Sequence, residues 1–259
     1  MKRLNGRVLT TLFVLFVFAG MAQAEQADNC HSHTYFGEPG KEDQVLCRSG
    51  FAIGYHYATK TPGWVAYRLT AASVAFKFDR PDKVKGVEAF KEDTELPLEY
   101  RSTLEDFKNS GYDRGHMAPS ATIDFSEIAM EESFLLSNII PQDPEMNRGG
   151  WAALERYVRA WASARKDIWV VTGPIYHSKY LRIGNNVAVP NDFYLVIFDP
   201  VNQQMIAFLV PHKGFKREEI PSFIVSVDKV EDVTKYDFFN LLDNDYENAL
   251  EKVVSPIWR

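Results

Sequence analysis

The sequence predicts an α+β domain, with a mainly antiparallel central sheet flanked by helices. Three observations carry this. Residues 168–175, 193–198 and 205–210 are short apolar runs rich in β-branched and aromatic side chains, bounded by Gly, Pro, Asn or Asp, the pattern of buried strands. Between the last two, Asp199-Pro200-Val201-Asn202 reads as a hairpin turn, which pairs those strands antiparallel. Upstream, Trp151, Leu154, Val158 and Trp161 recur at intervals of three and four, the stripe a helix turns toward a core. Strands and helices alternate irregularly, which favours α+β over a doubly wound parallel sheet.

Taken from the N-terminus, the first 24 residues read as a secretory signal peptide. Lys2, Arg3 and Arg7 supply a basic start, residues 8–20 an apolar segment, and Ala22-Gln23-Ala24 an A-x-A cleavage site. The apolar segment has 13 residues, short of the ~20 that a spanning helix needs. Residues 25–259 are then expected as a single exported domain, periplasmic or secreted. No later segment resembles a transmembrane helix, so no membrane attachment is expected after cleavage. The whole chain has 29 Lys plus Arg against 35 Asp plus Glu, and loss of the leader leaves 26 basic residues and a formal charge of −9. A polyanionic partner would have to be held by a local basic site rather than by the overall field. With 46% hydrophobic and 25% charged residues, the chain can bury a sizeable core, which excludes disordered and collagen-like classes.

Export places Cys30 and Cys47 in an oxidising compartment, where a disulfide between them is expected. The alternative is a zinc site built from Cys30, His31, His33 and Cys47, although no second paired ligand stands beside Cys47. Residues 64–69 look like a strand following a Pro62-Gly63 turn, and residues 246–254 carry a second amphipathic helical pattern.

Chemistry is concentrated between Tyr112 and Glu155. Asp113-Arg114-Gly115-His116 places an acid, a guanidinium fork, a flexible glycine and an imidazole side by side. Alone, this could be a polar turn with Asp113 paired to Arg114. Leu136-Ser137-Asn138-Ile139-Ile140-Pro141-Gln142 follows, and then Asn147-Arg148-Gly149-Gly150-Trp151 with Glu155 eight residues after Asn147. Considered singly, Asn147 would be a helix N-cap and Glu155 would pair with Arg159 at i+4.

Together these segments resemble the DNA/RNA non-specific endonucleases, the family of secreted sugar-nonspecific nucleases and endonuclease G. The likeness extends to Trp64-Val65-Ala66-Tyr67, to residues 169–174 and to Asp237-Phe238-Phe239. The resemblance implies a ββα-metal motif, in which a β-hairpin presents His116 and the following helix presents Asn147 to one divalent cation. It implies His116 as general base, Asn147 as metal ligand, Glu155 acting through water on the metal, and Arg114, Gln142 and Arg148 as substrate-binding groups. Mg²⁺ is the implied cofactor, with Mn²⁺ able to substitute. DNA and RNA are the implied substrates, cut with little sequence preference to leave 5′-phosphate ends. Family members are often homodimers, so a homodimer is a further expectation.

One position departs from the family pattern. An arginine usually stands two residues before an aromatic-x-x-aspartate segment, here Phe90-Lys91-Glu92-Asp93, and this chain has Glu88 there. Arg80, Lys83 or Lys85 are the candidates to replace that guanidinium. Two other readings compete with a hydrolase: a non-catalytic nucleic-acid-binding relative, as in DNA uptake, which Glu88 motivates, and a zinc-stabilised envelope protein, which the Cys30 and His33 cluster motivates. His56, His177 and His212 lie outside the motifs and are expected to be structural or exposed.

Overall fold

The computed structural model describes residues 30–80 and 88–258; the expected leader, Lys83 and Lys85 lie outside these. The strands in chain order are β1 (Gln44–Cys47), β2 (Ala52–His56), β3 (Thr61–Thr70), β4 (Asp113–His116), β5 (Ile139–Gln142), β6 (Asp167–Ile175), β7 (Arg182–Ile183), β8 (Val187–Ala188), β9 (Asp192–Asp199), β10 (Gln204–Pro211) and β11 (Ile224–Val225). The helices used below are α1 (Leu104–Phe107), α2 (Glu127–Ser133), α3 (Ala152–Arg165), α4 (Val227–Thr234) and α5 (Asn244–Glu251). Seven strands form one sheet in the order β1-β2-β3-β6-β9-β10-β11, and every neighbouring pair is antiparallel. The α+β class expected from the sequence is the one observed.

Why the central strands read as unbroken apolar runs follows from what covers them. Val65, Tyr67, Leu69, Ile168, Val170, Leu195, Ile197, Ile206 and Phe208 point to one face, where Trp151, Leu154, Val158 and Trp161 of the α3 region pack on them. Their alternates Trp64, Ala66, Trp169, Val171, Tyr194, Val196, Phe198 and Met205 point to the other, under Val227 and Val230 of α4 and Phe238 and Phe239. With period-2 alternation and both faces buried, both sets of positions are predominantly apolar. Asp199 makes the β9–β10 turn, its Oδ1 accepting from Asn202 N at 2.9 Å. No helix among the described residues is long and apolar enough to cross a membrane.

Three expectations need correction. Pro62 and Gly63 lie inside β3 rather than in a turn before it, beside a register irregularity between Gly54 and Tyr55 that accommodates the proline. The C-terminal helix ends at Glu251, not 254. The zinc alternative fails because both sulfurs are used in the Cys30–Cys47 disulfide, with Cα atoms 4.9 Å apart. His33 has a different occupation: its Nδ1 accepts from Arg68 N at 3.2 Å, and burial pushes its imidazole down to about 4.

Candidate active site

β4 and β5 form a separate antiparallel ribbon in the register Asp113↔Gln142, Arg114↔Pro141, Gly115↔Ile140 and His116↔Ile139. A Cβ on Gly115 would lie 2.0 Å from Oε1 of Gln142. Gly115 is therefore there to let the glutamine approach the backbone, rather than for flexibility. Gln142 itself is fully buried, and both its amide atoms lack a hydrogen-bond partner in the structure. Gln142 is not among the residues that line the cavity described below.

His116 emerges from this ribbon onto an aromatic bed. Its ring is perpendicular to Phe134 at 4.9 Å between centroids and tilted against Phe90 at 5.4 Å. Burial, reinforced by Arg80 and Arg114, pushes the imidazole down to about 3, so it is neutral at pH 7. Its Nε2 is buried with no hydrogen-bond partner. The chain after it is fastened by Asn138, whose Oδ1 accepts from Ala118 N at 2.8 Å while Nδ2 donates to Ala118 O at 3.0 Å and Ser133 O at 2.8 Å. The Leu136-Ser137-Asn138 stretch is thus a support for the histidine strand.

Asn147 sits in a π-helical turn, Met146–Trp151, that runs directly into α3. It does not cap the helix. Gly150 permits the turn to pack, since a Cβ there would come within 2.2 Å of the Phe215 ring. Asn147 Nδ2 donates to Asp113 Oδ2 at 2.9 Å, which leaves the amide oxygen to serve as a ligand. Arg148 grips the same carboxylate in a fork, with Nε–Oδ2 at 2.8 Å and Nη2–Oδ1 at 2.5 Å. Burial works against ionisation of Asp113, but the contacts from Arg148 and Asn147 outweigh it and hold the carboxyl below its ordinary value. Arg148 is thus an exposed guanidinium engaged with Asp113, a residue that lines the cavity. Asp113 pairs with Arg148 rather than with its sequence neighbour Arg114.

His116, Asn147, Glu155 and Arg114 come together in one open cavity of about 730 Å³. Arg80, Glu88, Lys108 and Tyr112 line it too. Arg114 lies with its Cζ 4.1 Å over the Phe90 ring and donates from Nη1 to Glu88 Oε2 at 3.1 Å. Arg80 places a second guanidinium in the same cavity, over Phe134 at 4.9 Å. Burial pushes the Glu155 carboxyl up to about 7, against the pull of Arg159 and Arg156. Arg159, its expected partner, donates instead to Thr122 Oγ1 at 3.0 Å.

A family model described as DNA/RNA non-specific endonuclease matches residues 31–245. The chain belongs to that family. Nuclease C1 of Cunninghamella echinulata var. echinulata is 34% identical, with 83% of this chain and 90% of that protein covered. The mitochondrial nuclease of Saccharomyces cerevisiae is 32% identical over 88% of this chain and 78% of its own length. Among solved structures, a chain of the EndoG/EndoGI complex superposes with a TM-score of 0.77 at 31% identity, covering 83% of this chain and 93% of that one. The chain is thus a hydrolase of the endonuclease class, and its family-matched region contains every residue of the cavity.

The three histidines outside the motifs divide between one braced in the fold and two at the surface. His212 accepts from Asp143 N at 2.7 Å through Nε2 and meets Pro190 O at 2.7 Å through Nδ1, bracing the segment that leads into the Asn147 turn. His56 pairs with Glu42 and Asp43, and His177 with Asp192. Sequence reasoning missed Lys108 and Tyr112 as lining residues. Tyr112 adjoins the Asp113 box and could have been included, whereas Lys108 carries no local signal that separates it from an ordinary surface lysine.

Proposed function

We propose that this endonuclease cuts DNA and RNA with little sequence preference, using one divalent cation, Mg²⁺ with Mn²⁺ able to substitute, and leaves 5′-phosphate ends. The observation that carries the reading is the meeting, in one cavity, of a neutral imidazole, an amide oxygen and a carboxyl with two guanidinium groups. The donor set fits a hard cation: Asn147 offers an amide oxygen oriented by Asp113, and Glu155 a carboxyl whose ionised form a nearby cation would favour. When bound, the cation would stabilise negative charge on the phosphoryl oxygens and the departing 3′ oxygen. His116 Nε2 takes a proton from the attacking water, which a neutral imidazole with an unoccupied acceptor position can do. Arg114 and Arg80 hold the phosphate, Glu155 would orient water beside the bound cation, and no side chain in the cavity needs to read a base edge. The leader pattern of residues 1–24 and the Cys30–Cys47 disulfide support a periplasmic or secreted location.

A plasmid-nicking assay tests the reading. EDTA should stop cleavage and added Mg²⁺ or Mn²⁺ should restore it, and Asn147→Ala should raise the Mg²⁺ requirement into the high millimolar range. An unchanged metal titration in that variant would make Asn147 a turn-former only. Complete lack of nicking with Mg²⁺ would favour the non-catalytic binding relative, to which the Glu88–Arg114 pair lends its one observation.

Glu88 faces the cavity and holds Arg114, so an incoming phosphate must displace a carboxylate. Glu88→Arg should therefore tighten DNA binding and steepen the dependence of log affinity on log salt by about one phosphate contact, a slope change of about 0.9. Fluorescence anisotropy across a salt series, in a His116→Ala background to prevent cleavage, reads both quantities. Equal affinity and slope would show that the Glu88 position does not act on the phosphate.

A further inference from the structure

On the sheet face away from the nuclease cavity, α4 and α5 press acidic side chains together. Asp228 and Glu231 are three residues apart on α4, and Glu247 and Glu251 four apart on α5, so each pair occupies one side of its helix. A carboxylate oxygen from each of Asp228, Glu231 and Glu251 lies within 4.8 Å of the other two. Glu251 is 4% exposed and Glu247 7%, and Oε1 of each is buried with no hydrogen-bond partner. Glu231 accepts from Phe238 N at 2.8 Å, and Asp237 adds a further acid to the neighbourhood. Among the described residues, no lysine, arginine or histidine forms an ion pair with Asp228, Glu247 or Glu251. Bringing like charges out of water without a counter-charge is strongly unfavourable, and either a proton shared between Glu231 and Glu251 or a cation would relieve it.

We propose that Asp228, Glu231 and Glu251 form a second cation site, separate from the nuclease centre, that takes one Ca²⁺ and clamps α5 onto α4. Three features point to calcium. The donors are all carboxylate oxygens, which suit a hard cation. Ca²⁺ bonds oxygen at about 2.3–2.6 Å in flexible geometry, so it spans donors up to about 5 Å apart, whereas Mg²⁺ at about 2.0–2.1 Å spans only about 4 Å. Asp228 is exposed while Glu251 is buried, which gives the ion an entry side and room for waters to complete its shell. Glu247, close enough to act electrostatically on Glu251, adds negative potential, and its Oε1 is likewise buried without a partner. The site does not depend on the nuclease reading, since it shares no residue with that cavity.

Calorimetric titration of Ca²⁺ into chelator-stripped protein, together with thermal melts in Ca²⁺ and in EDTA, tests the proposal. Wild type and Asn147→Ala should both bind Ca²⁺ at this site and melt higher with it. Asp228→Asn, at an exposed position, should lose about tenfold or more in Ca²⁺ affinity and lose the melting shift. Glu251→Gln should do the same, and both variants should retain Mg²⁺-supported nicking. Ca²⁺ binding and melting shifts unaltered by Asp228→Asn would overturn the proposal and leave a shared proton as the only device there. A Mg²⁺ shift equal to that of Ca²⁺ would overturn the choice of ion.

Discussion

Replacing His116 with alanine should lower cleavage by about 10²–10⁴-fold, the usual cost of losing a general base, while binding to DNA persists. The two halves of that expectation rest on different groups. In the proposed mechanism, proton removal falls to one imidazole, neutral because burial and two guanidinium groups hold it down, with Nε2 unclaimed by any other partner. The same proposal gives phosphate contact to Arg114 and Arg80, which rest on Phe90 and Phe134 and keep those rings beneath them when the imidazole is removed. Single-turnover cleavage measures the first half and anisotropy the second, with the melting temperature confirming that the aromatic bed has not collapsed into the space left. Turnover near wild type would remove His116 from the base role and send the search to Glu155, the other cavity group that can accept a proton near neutral pH.

The parts of the fold legible in the sequence are those in which each residue reports its own environment. β6, β9 and β10 are covered on both faces, so their interiors are almost wholly apolar and the runs stand out. The α3 stripe is equally plain because one side of that helix meets the sheet. Pro62-Gly63 misleads because its environment is set by β2, through an irregular register that sequence does not show. The site divides in the same way. The Asp113 to His116 box and the Asn147 to Glu155 spacing are local, and they do reach one cavity. What the guanidinium groups do is not local: Arg114 meets a partner 26 residues away and Arg148 one 35 residues away. Gln142 belongs to the motif but is fully buried, which motif membership did not reveal.

The largest stability effect should come from beneath the site, at Asp93. Arg48 and Asp93 are each 3% exposed and meet at 2.5 Å, and Glu95 takes the other guanidinium nitrogen. Ser137 Oγ donates to the same Asp93 oxygen at 2.5 Å, and Glu95 N to the other at 3.1 Å. Burial alone would lower the Arg48 pKa, yet Asp93 and Glu95 hold it above the ordinary value, so the guanidinium stays charged throughout. The group ties the loop between β1 and β2 to the segment carrying Glu88 and Phe90, and to the Ser137 stretch that supports the His116 strand. Removing one partner of a buried pair costs about 3–5 kcal/mol because a charge is left uncompensated, and the remaining contact with Glu95 places Asp93→Ala near the lower end, about 3 kcal/mol. Native domains are stable by only about 5–15 kcal/mol, so the urea midpoint should fall steeply. Arg48→Met with Asp93→Leu removes both charges and keeps apolar volume, and should recover much of the loss, since a desolvated pair is itself expensive. Recovery would assign the effect to charge imbalance. A change within about 0.5 kcal/mol in Asp93→Ala, the range of ordinary surface substitutions, would show that water or Glu95 compensates Arg48 fully and that the pair is not what fastens the site to the sheet.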